Sequence, residues 1–442
     1  MLDYKYSTIL KVALPLMVSS FIQSIVFLTD AAFLGRYDTL SYDASGNAGL
    51  IYVTVFLALS GMGDGSQILI ARRIGQKRLD TIGRIFGTSI ITHFLLALLL
   101  FAFIQYVMPS LLYHYSKHKD LANAQISFLS YRSYALFFAM ITLSIQAFLF
   151  ASGKTSIVLI SALITASSNV LLDYLLIFGN GPFPEMGLEG AAIANTIADG
   201  LGMLFLIVFI SFSKLKKEYN LFDHFSFNLS SFKELIKIGS PILFQGFIAL
   251  ATWTVFFTWI EQIGKFELTV SQNIRAIYFL AFVPIWGFSA TTKTYISQYI
   301  GSGDFGALKI IQKRIQLLTV VFLFIIFHGA IFYPETLISI VNPDATYQHV
   351  SGEILRYVSL SIYIYGFFTV YFQTINGSGN TNVTFIIEVI CVVVYIIFAY
   401  LLIKVWKLDI FWIWSVEYIY FINMGVLSLI YLRFFDWKRK VV

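Results

Sequence analysis

Four aspartates, Asp30, Asp64, Asp173 and Asp199, stand inside stretches that are otherwise apolar enough to cross a bilayer. An ionisable side chain at membrane depth costs at least about 2–3 kcal/mol, so it is rarely accidental. Two of the four come with amides: Asn169 lies four residues before Asp173, and Asn195 four before Asp199, with Thr196 beside it. That spacing puts each pair on one helix face. A carboxyl set among amides in apolar surroundings has its charged form disfavoured, which suits it to taking up and returning a proton. The same oxygens also suit Na⁺. Asp64 lies in Gly61-Met62-Gly63-Asp64-Gly65, which reads as a locally broken or tightly packed helix. The competing role, strongest for Asp64 and Asp199, is a structural hydrogen-bond acceptor tying helices together.

The elements that must hold these groups follow from composition. Of 442 residues, 58% are hydrophobic and 12% charged, where a soluble domain carries about 25% charged residues. Apolar runs long enough to span a bilayer recur throughout. Twelve spans are predicted, near 8–35, 48–71, 85–109, 125–151, 156–178, 189–212, 234–260, 270–299, 311–333, 351–376, 382–403 and 410–433. The fold class is an all-α polytopic membrane protein; a β-barrel would alternate in ten-residue strands. Met1–Thr8 is polar and runs straight into a full-length span, so no cleavable signal peptide is expected. Cys391 is the single cysteine and predicts neither a disulfide nor a thiolate metal cluster. His114 and His118 read as solvated loop residues, and no resident metal or cofactor is expected. The net charge of +6 does not call for nucleic acid. Most Lys and Arg, Arg439 and Lys440 among them, fall on one side, which places both termini in the cytoplasm of an inner-membrane protein.

The chain also repeats itself at an offset of 226 residues. Lys11–Pro15 falls on Lys237–Pro241, Tyr52 on Tyr278, and Ser152-Gly153-Lys154-Thr155 on Ser378-Gly379-Asn380-Thr381. This predicts an N-terminal six-helix lobe (1–212), a polar cytoplasmic linker (213–231) and a C-terminal six-helix lobe (232–442). Six spans per half is an even number, so the lobes are parallel repeats, with a site expected where they meet. The acids do not repeat: Asp30 falls on Phe256, Asp64 on Ala290, Asp173 on Ala399, and Asn169 on Tyr395. The second half has Arg275, Lys293, Glu388 and Glu417 instead. Lys293 is read as a possible partner for a first-half acid, Arg275 and Glu417 as snorkelling near helix ends, and Glu388 as deeper. No G-x-x-x-x-G-K-[ST] loop is present, so ATP is not the direct energy source. Ser152–Thr155 reads as a helix–helix turn. His93 and His328 are scattered singly, which argues against an enzyme.

These segments together resemble the multidrug and toxic compound extrusion (MATE) family. The resemblance is carried by Leu10–Pro15 leading to Phe27-Leu28-Thr29-Asp30, by Gly61–Gly75 running into Gln76-Lys77-Arg78, by Asn169–Asp173 with Gly187–Ala194, and by Gly377–Thr381. It covers essentially the whole chain. It implies two lobes that alternate between outward and inward openings, driven by H⁺ or Na⁺. It further implies a DinF-like branch, in which Asp30, Asn169 and Asp173 form the cation site and protonation of Asp30 bends the first span at or below Pro15. The NorM-like branch also uses carboxylates on the seventh and tenth spans, where Leu235–Ile260 and Gly352–Asn376 offer only Glu353 near one end. Asn195, Thr196, Asp64 and Asp199 depart from the family pattern. The expected activity is antiport of a small organic molecule, a cation or amphipath by the acidic and aromatic character of the chain, against H⁺, with Na⁺ as alternative ion. The rival is a lipid-linked oligosaccharide flippase of the same wider superfamily, which would want a basic cavity. A twelve-helix bundle with its own cleft needs no partner chain.

Overall fold

The computed structural model describes residues 1–438 except Lys117 and His224; the side chains of Leu57, Ala58 and Tyr115 and residues 439–442, hence Arg439 and Lys440, lie outside that description. Among the described residues, twelve helices are long and apolar enough to cross a membrane, as the hydropathy pattern predicts.

In chain order the first half contains α1 (Tyr6–Tyr37), α2 (Thr39–Gly75), α3 (Ile82–Ala102), α4 (Met108–Tyr115), α5 (Lys119–Arg132), α6 (Ala135–Ser152), α7 (Thr155–Ile177), α8 (Gly187–Phe212) and the short α9 (Leu215–Glu218). The second contains α10 (Leu229–Glu261), α11 (Lys265–Ser302), α12 (Leu308–Phe327), the short α13 (Gly329–Phe332) and α14 (Pro334–Val341), α15 (Ala345–Gly377), α16 (Thr381–Tyr400), the short α17 (Ile410–Ile413) and α18 (Val416–Phe434). Starts of corresponding helices keep the 226-residue offset: α2 and α11, α3 and α12, α7 and α16. Gly153 (φ 73°) and Gly379 (φ 81°) both close the preceding helix in the left-handed region, which glycine enters without a Cβ penalty. The Gly-Lys-Thr segment is therefore a helix–helix turn.

The repeat fails at two helices. In the first, α8 runs unbroken where its counterpart is divided into α17 and α18; the reverse holds for α15. Where α15 runs unbroken, its first-half counterpart is split into α5 and α6 at Ser133–Tyr134. No proline or glycine causes this. The carbonyls freed by the split are met by side chains instead: Gln105 Nε2 donates to Ser130 O at 2.9 Å, and Thr196 Oγ1 to Tyr131 O at 3.3 Å. Backbone groups inside a membrane must be satisfied within the protein, and these two residues make the break tolerable. Asp64 lies in no such break. α2 is continuous through the glycines, where Gly63 approaches Leu143, and Asp64 is half-buried.

Two compact units form: Leu14–Lys237, and Met1–Ala13 together with Ile238–Val442. Both divisions fall within a helix, just before Pro15 in α1 and Pro241 in α10. In the second unit the N-terminal segment is anchored: Leu2 N–H donates to Gln298 Oε1 at 2.8 Å, Tyr299 OH to Leu2 O at 2.9 Å, and Arg314 to Tyr4 O at 2.7 Å. In the first unit the segment after α8 packs against α3, with Asn228 N–H donating to Thr88 Oγ1 at 3.1 Å. Leu221 on that segment is fully buried.

α7 and α8 pack through small residues, the usual means of close approach between membrane helices. A methyl added at Gly190 would lie 2.6 Å from the Leu176 carbonyl oxygen, a backbone atom that cannot rotate aside. Gly190→Ala is therefore expected to destabilise the protein by about 1–3 kcal/mol through overpacking. Thermal unfolding in detergent checks this; an unchanged midpoint would contradict the packing.

Candidate functional site

The split between α5 and α6 positions the first member of the site. Arg132, the last residue of α5, turns into the Leu14–Lys237 unit and meets Asp199 of α8 at 2.7 Å, with 13% and 25% of the two side chains exposed. Its guanidinium lies 4.3 Å from the ring centre of Tyr52 on α2, a cation–π contact that strengthens when desolvated. One turn earlier on α8, Asn195 Nδ2 donates to Asp30 Oδ2 of α1 at 2.9 Å and to Ala191 O at 3.1 Å. Thr196, on the adjoining face, spends its hydroxyl on Ala192 O at 2.8 Å and on the opened end of α5.

Asp173 and Asn169 project from α7 and are fully or almost fully buried, at 0% and 1% exposure. The Asp173 carboxyl faces that of Asp30, and Asn169 stands beside it. Neither oxygen of Asp173, nor Oδ1 of Asp30, nor either polar atom of Asn169 has a completed hydrogen bond. The inventory explains why. Two ionised carboxylates are acceptors only and cannot bond to one another; a proton on one supplies the missing donor. Arg132 is near enough to act on both acids, but its close partner is Asp199. Three carboxyls thus surround one guanidinium, and the group reaches neutrality only by adding positive charge. Burying uncompensated charge is expensive, and a bound proton or small cation would relieve it.

Asp30, Asn169, Asp173, Asn195 and Asp199 are therefore brought together as one cluster. Asn195 serves Asp30, not Asp199, and Arg132 was not singled out by the sequence reading. Asp64 stands half-buried on α2. Lys293 lies in the other unit, buried on α11 where its backbone meets Gly377 of α15. Glu417 is not a snorkelling group: it is 2% exposed and accepts hydrogen bonds from Trp253, Tyr278 and Tyr395. Glu388 is 4% exposed and accepts from Tyr420. His114 and His118 do not share a helix, since the chain is extended at Ser116. Among the described residues no three His, Cys, Asp or Glu side chains are arranged to hold a metal ion.

Known proteins share the fold that carries this arrangement. The MatE family model matches the chain twice, over residues 15–175 and 241–401. The chain belongs to the MatE family. The two matches keep the 226-residue offset, so each half of this MatE protein carries one copy of the family unit. Proteins of this family are transporters rather than enzymes, and this one is a multi-pass membrane transporter. A probable multidrug resistance protein NorM of Thermotoga maritima is 24% identical over 98% of this chain and 93% of its own length. A probable multidrug resistance protein YoeA of Bacillus subtilis is 22% identical over 97% and 93%. Among solved structures, an outward-facing multidrug resistance MATE family transporter of the MOP superfamily superposes with a TM-score of 0.90 at 16% identity, over 99% of this chain and 97% of that one. A MOP superfamily transporter from Pyrococcus furiosus, described as having a binding pocket of reversed polarity, gives 0.86 at 17% identity, over 96% and 94%. At such identities the likeness establishes the fold.

Proposed function

We propose that this MatE transporter is an antiporter that exports organic, cationic or amphipathic compounds in exchange for H⁺, by alternating access across the inner membrane with both termini in the cytoplasm. The observation that carries the reading is the facing pair Asp30 and Asp173, one half-buried and one fully buried acid with three oxygens left without donors. Their contact becomes a hydrogen bond on protonation and a repulsion on deprotonation. A proton therefore changes how α1 and α7 hold together, and a carrier needs such a change to link ion binding to a conformational step. Asn195 fixes the Asp30 carboxyl, Asn169 is the amide beside Asp173, and the Arg132–Asp199 pair sets the local charge. Pro15 lacks the N–H that would tie it into α1, which makes the helix yielding between the anchored N-terminus and Asp30. Export of drug-like compounds is supported by the multidrug-resistance names of the curated relatives. The one guanidinium among three acids does not supply the basic cavity a lipid-linked oligosaccharide would want.

The acids on α1 and α7 favour the DinF-like arrangement, as does the tenth span, whose Glu353 is 56% exposed beside His349. Na⁺ is the alternative ion. Efflux of a panel of organic cations from proteoliposomes under separate H⁺ and Na⁺ gradients tests the proposal. Efflux driven by H⁺ alone is expected; efflux that answers only to Na⁺ would overturn the choice of ion.

A further inference from the structure

We propose that Glu417 is a second proton-binding site, housed in the Ile238–Val442 unit and separate from Asp30 and Asp173. The carboxyl is held from several sides. Its Oε1 accepts from Trp253 Nε1 of α10 at 3.3 Å and from Tyr395 OH of α16 at 3.1 Å, and its Oε2 accepts from Tyr278 OH of α11 at 3.4 Å. All of these donors are neutral, and among the described residues no Lys, Arg or His acts on the group. The charged groups nearest in the fold are engaged elsewhere. Arg275 lies over the Phe257 ring at 4.7 Å, and Glu388 accepts from Tyr420, whose ring is 5.9 Å from that of Tyr395. Tyr418, the next residue along α18, is a further titratable neighbour and acts on Tyr278.

The surrounding hydroxyls can serve both protonation states. Ionised Glu417 accepts every bond just named. Once protonated at Oε2, it donates to Tyr278 OH, and Tyr278 turns its own hydrogen to Ser361 Oγ, 3.2 Å away. Ser361 can accept it because its hydrogen is already given to Val358 O at 2.7 Å. The proton thus comes and goes by rotating one hydroxyl, and no buried polar atom is orphaned in either state. A carboxylate kept only as a structural acceptor needs no such second arrangement.

Position in the repeat points the same way. Shifted by 226 residues, Tyr278 is Tyr52, which stacks on Arg132, Tyr395 is Asn169, and Phe256, whose ring lies 5.7 Å from that of Tyr395, is Asp30. Glu417 itself falls on Ala191, whose carbonyl accepts from Asn195 beside Asp30. In both halves, therefore, a carboxyl lies among the same positions of the repeat. In the first half it comes from the first and fifth spans, in the second from the twelfth. The one-for-one comparison of acids misses this because the supplying helix has changed.

The test is an infrared titration of the purified protein in lipid, following the C=O stretch of protonated carboxylic acids. Glu417→Gln is expected to remove one titrating component, and that component is expected to persist in the Asp30→Asn/Asp173→Asn double variant. This keeps failure of the second site distinguishable from failure of the first. Tyr278→Phe, which removes the rotating hydroxyl and nothing else, is expected to move the midpoint of that component without abolishing it. It carries the test should Glu417→Gln fold poorly. Identical titrations of the parent and Glu417→Gln, or of the parent and Tyr278→Phe, would overturn the proposal.

Discussion

Asp173→Asn is expected to reduce H⁺-driven efflux by about tenfold or more, since a factor of ten needs only ~1.4 kcal/mol of lost differential binding. The substitution preserves shape and supplies an amide donor. The introduced amide would bond permanently to Asp30 and hold α1 and α7 in the arrangement that the proton otherwise makes temporary. Substrate binding is expected to survive, so the defect lies in gradient-driven turnover. Asp30→Asn should give the same phenotype, and the double substitution should be little worse than either single one. Residues acting as one unit are not additive. Efflux assays in proteoliposomes with an imposed pH gradient check this. Full gradient-driven transport by Asp173→Asn would remove the pair from the mechanism, and additive losses would mean that the two acids work separately.

Arg132→Met is expected to have the largest effect on stability. It strands Asp199 in a half-buried site; breaking a fully buried ion pair from one side costs about 3–5 kcal/mol, and this partly exposed pair is expected to fall at the lower end. Replacing both partners, Arg132→Met with Asp199→Leu, removes the uncompensated charge and should recover most of that loss. Thermal unfolding of the matched variants in one detergent separates these outcomes. If the single variant is as stable as the double, the Arg132–Asp199 contact carries little, and the charge balance drawn for the cluster is wrong.

The twelve spans and the repeat were legible because hydropathy and the Pro and Gly positions survive in a chain solvated by lipid. Asp30, Asn169 and Asp173 were legible for the same reason: polar residues stand out in apolar runs. Partners were harder to read. The four-residue spacing of Asn195 and Asp199 gives their common face on α8, yet that face meets α1 through Asn195 and α5 through Asp199. Spacing identifies a face, and only packing assigns its partners. Arg132 was hidden because it lies near the start of the predicted span 125–151, just before a helix break at Ser133–Tyr134 that carries no proline or glycine. Glu417 lies near the start of the predicted span 410–433 and so read as close to a helix end. α17 just before it continues the buried segment, with Ile413 and Trp414 fully enclosed, and this places Glu417 inside the core of its unit.

Counterflow in proteoliposomes tests the central claim most directly. An outward gradient of a transported organic cation is imposed in Na⁺-free medium, and internal pH is followed with a trapped dye. The account predicts acidification of the lumen as substrate leaves, absent in Asp173→Asn. Substrate exit with no proton entry, or proton entry that Asp173→Asn leaves intact, would contradict it.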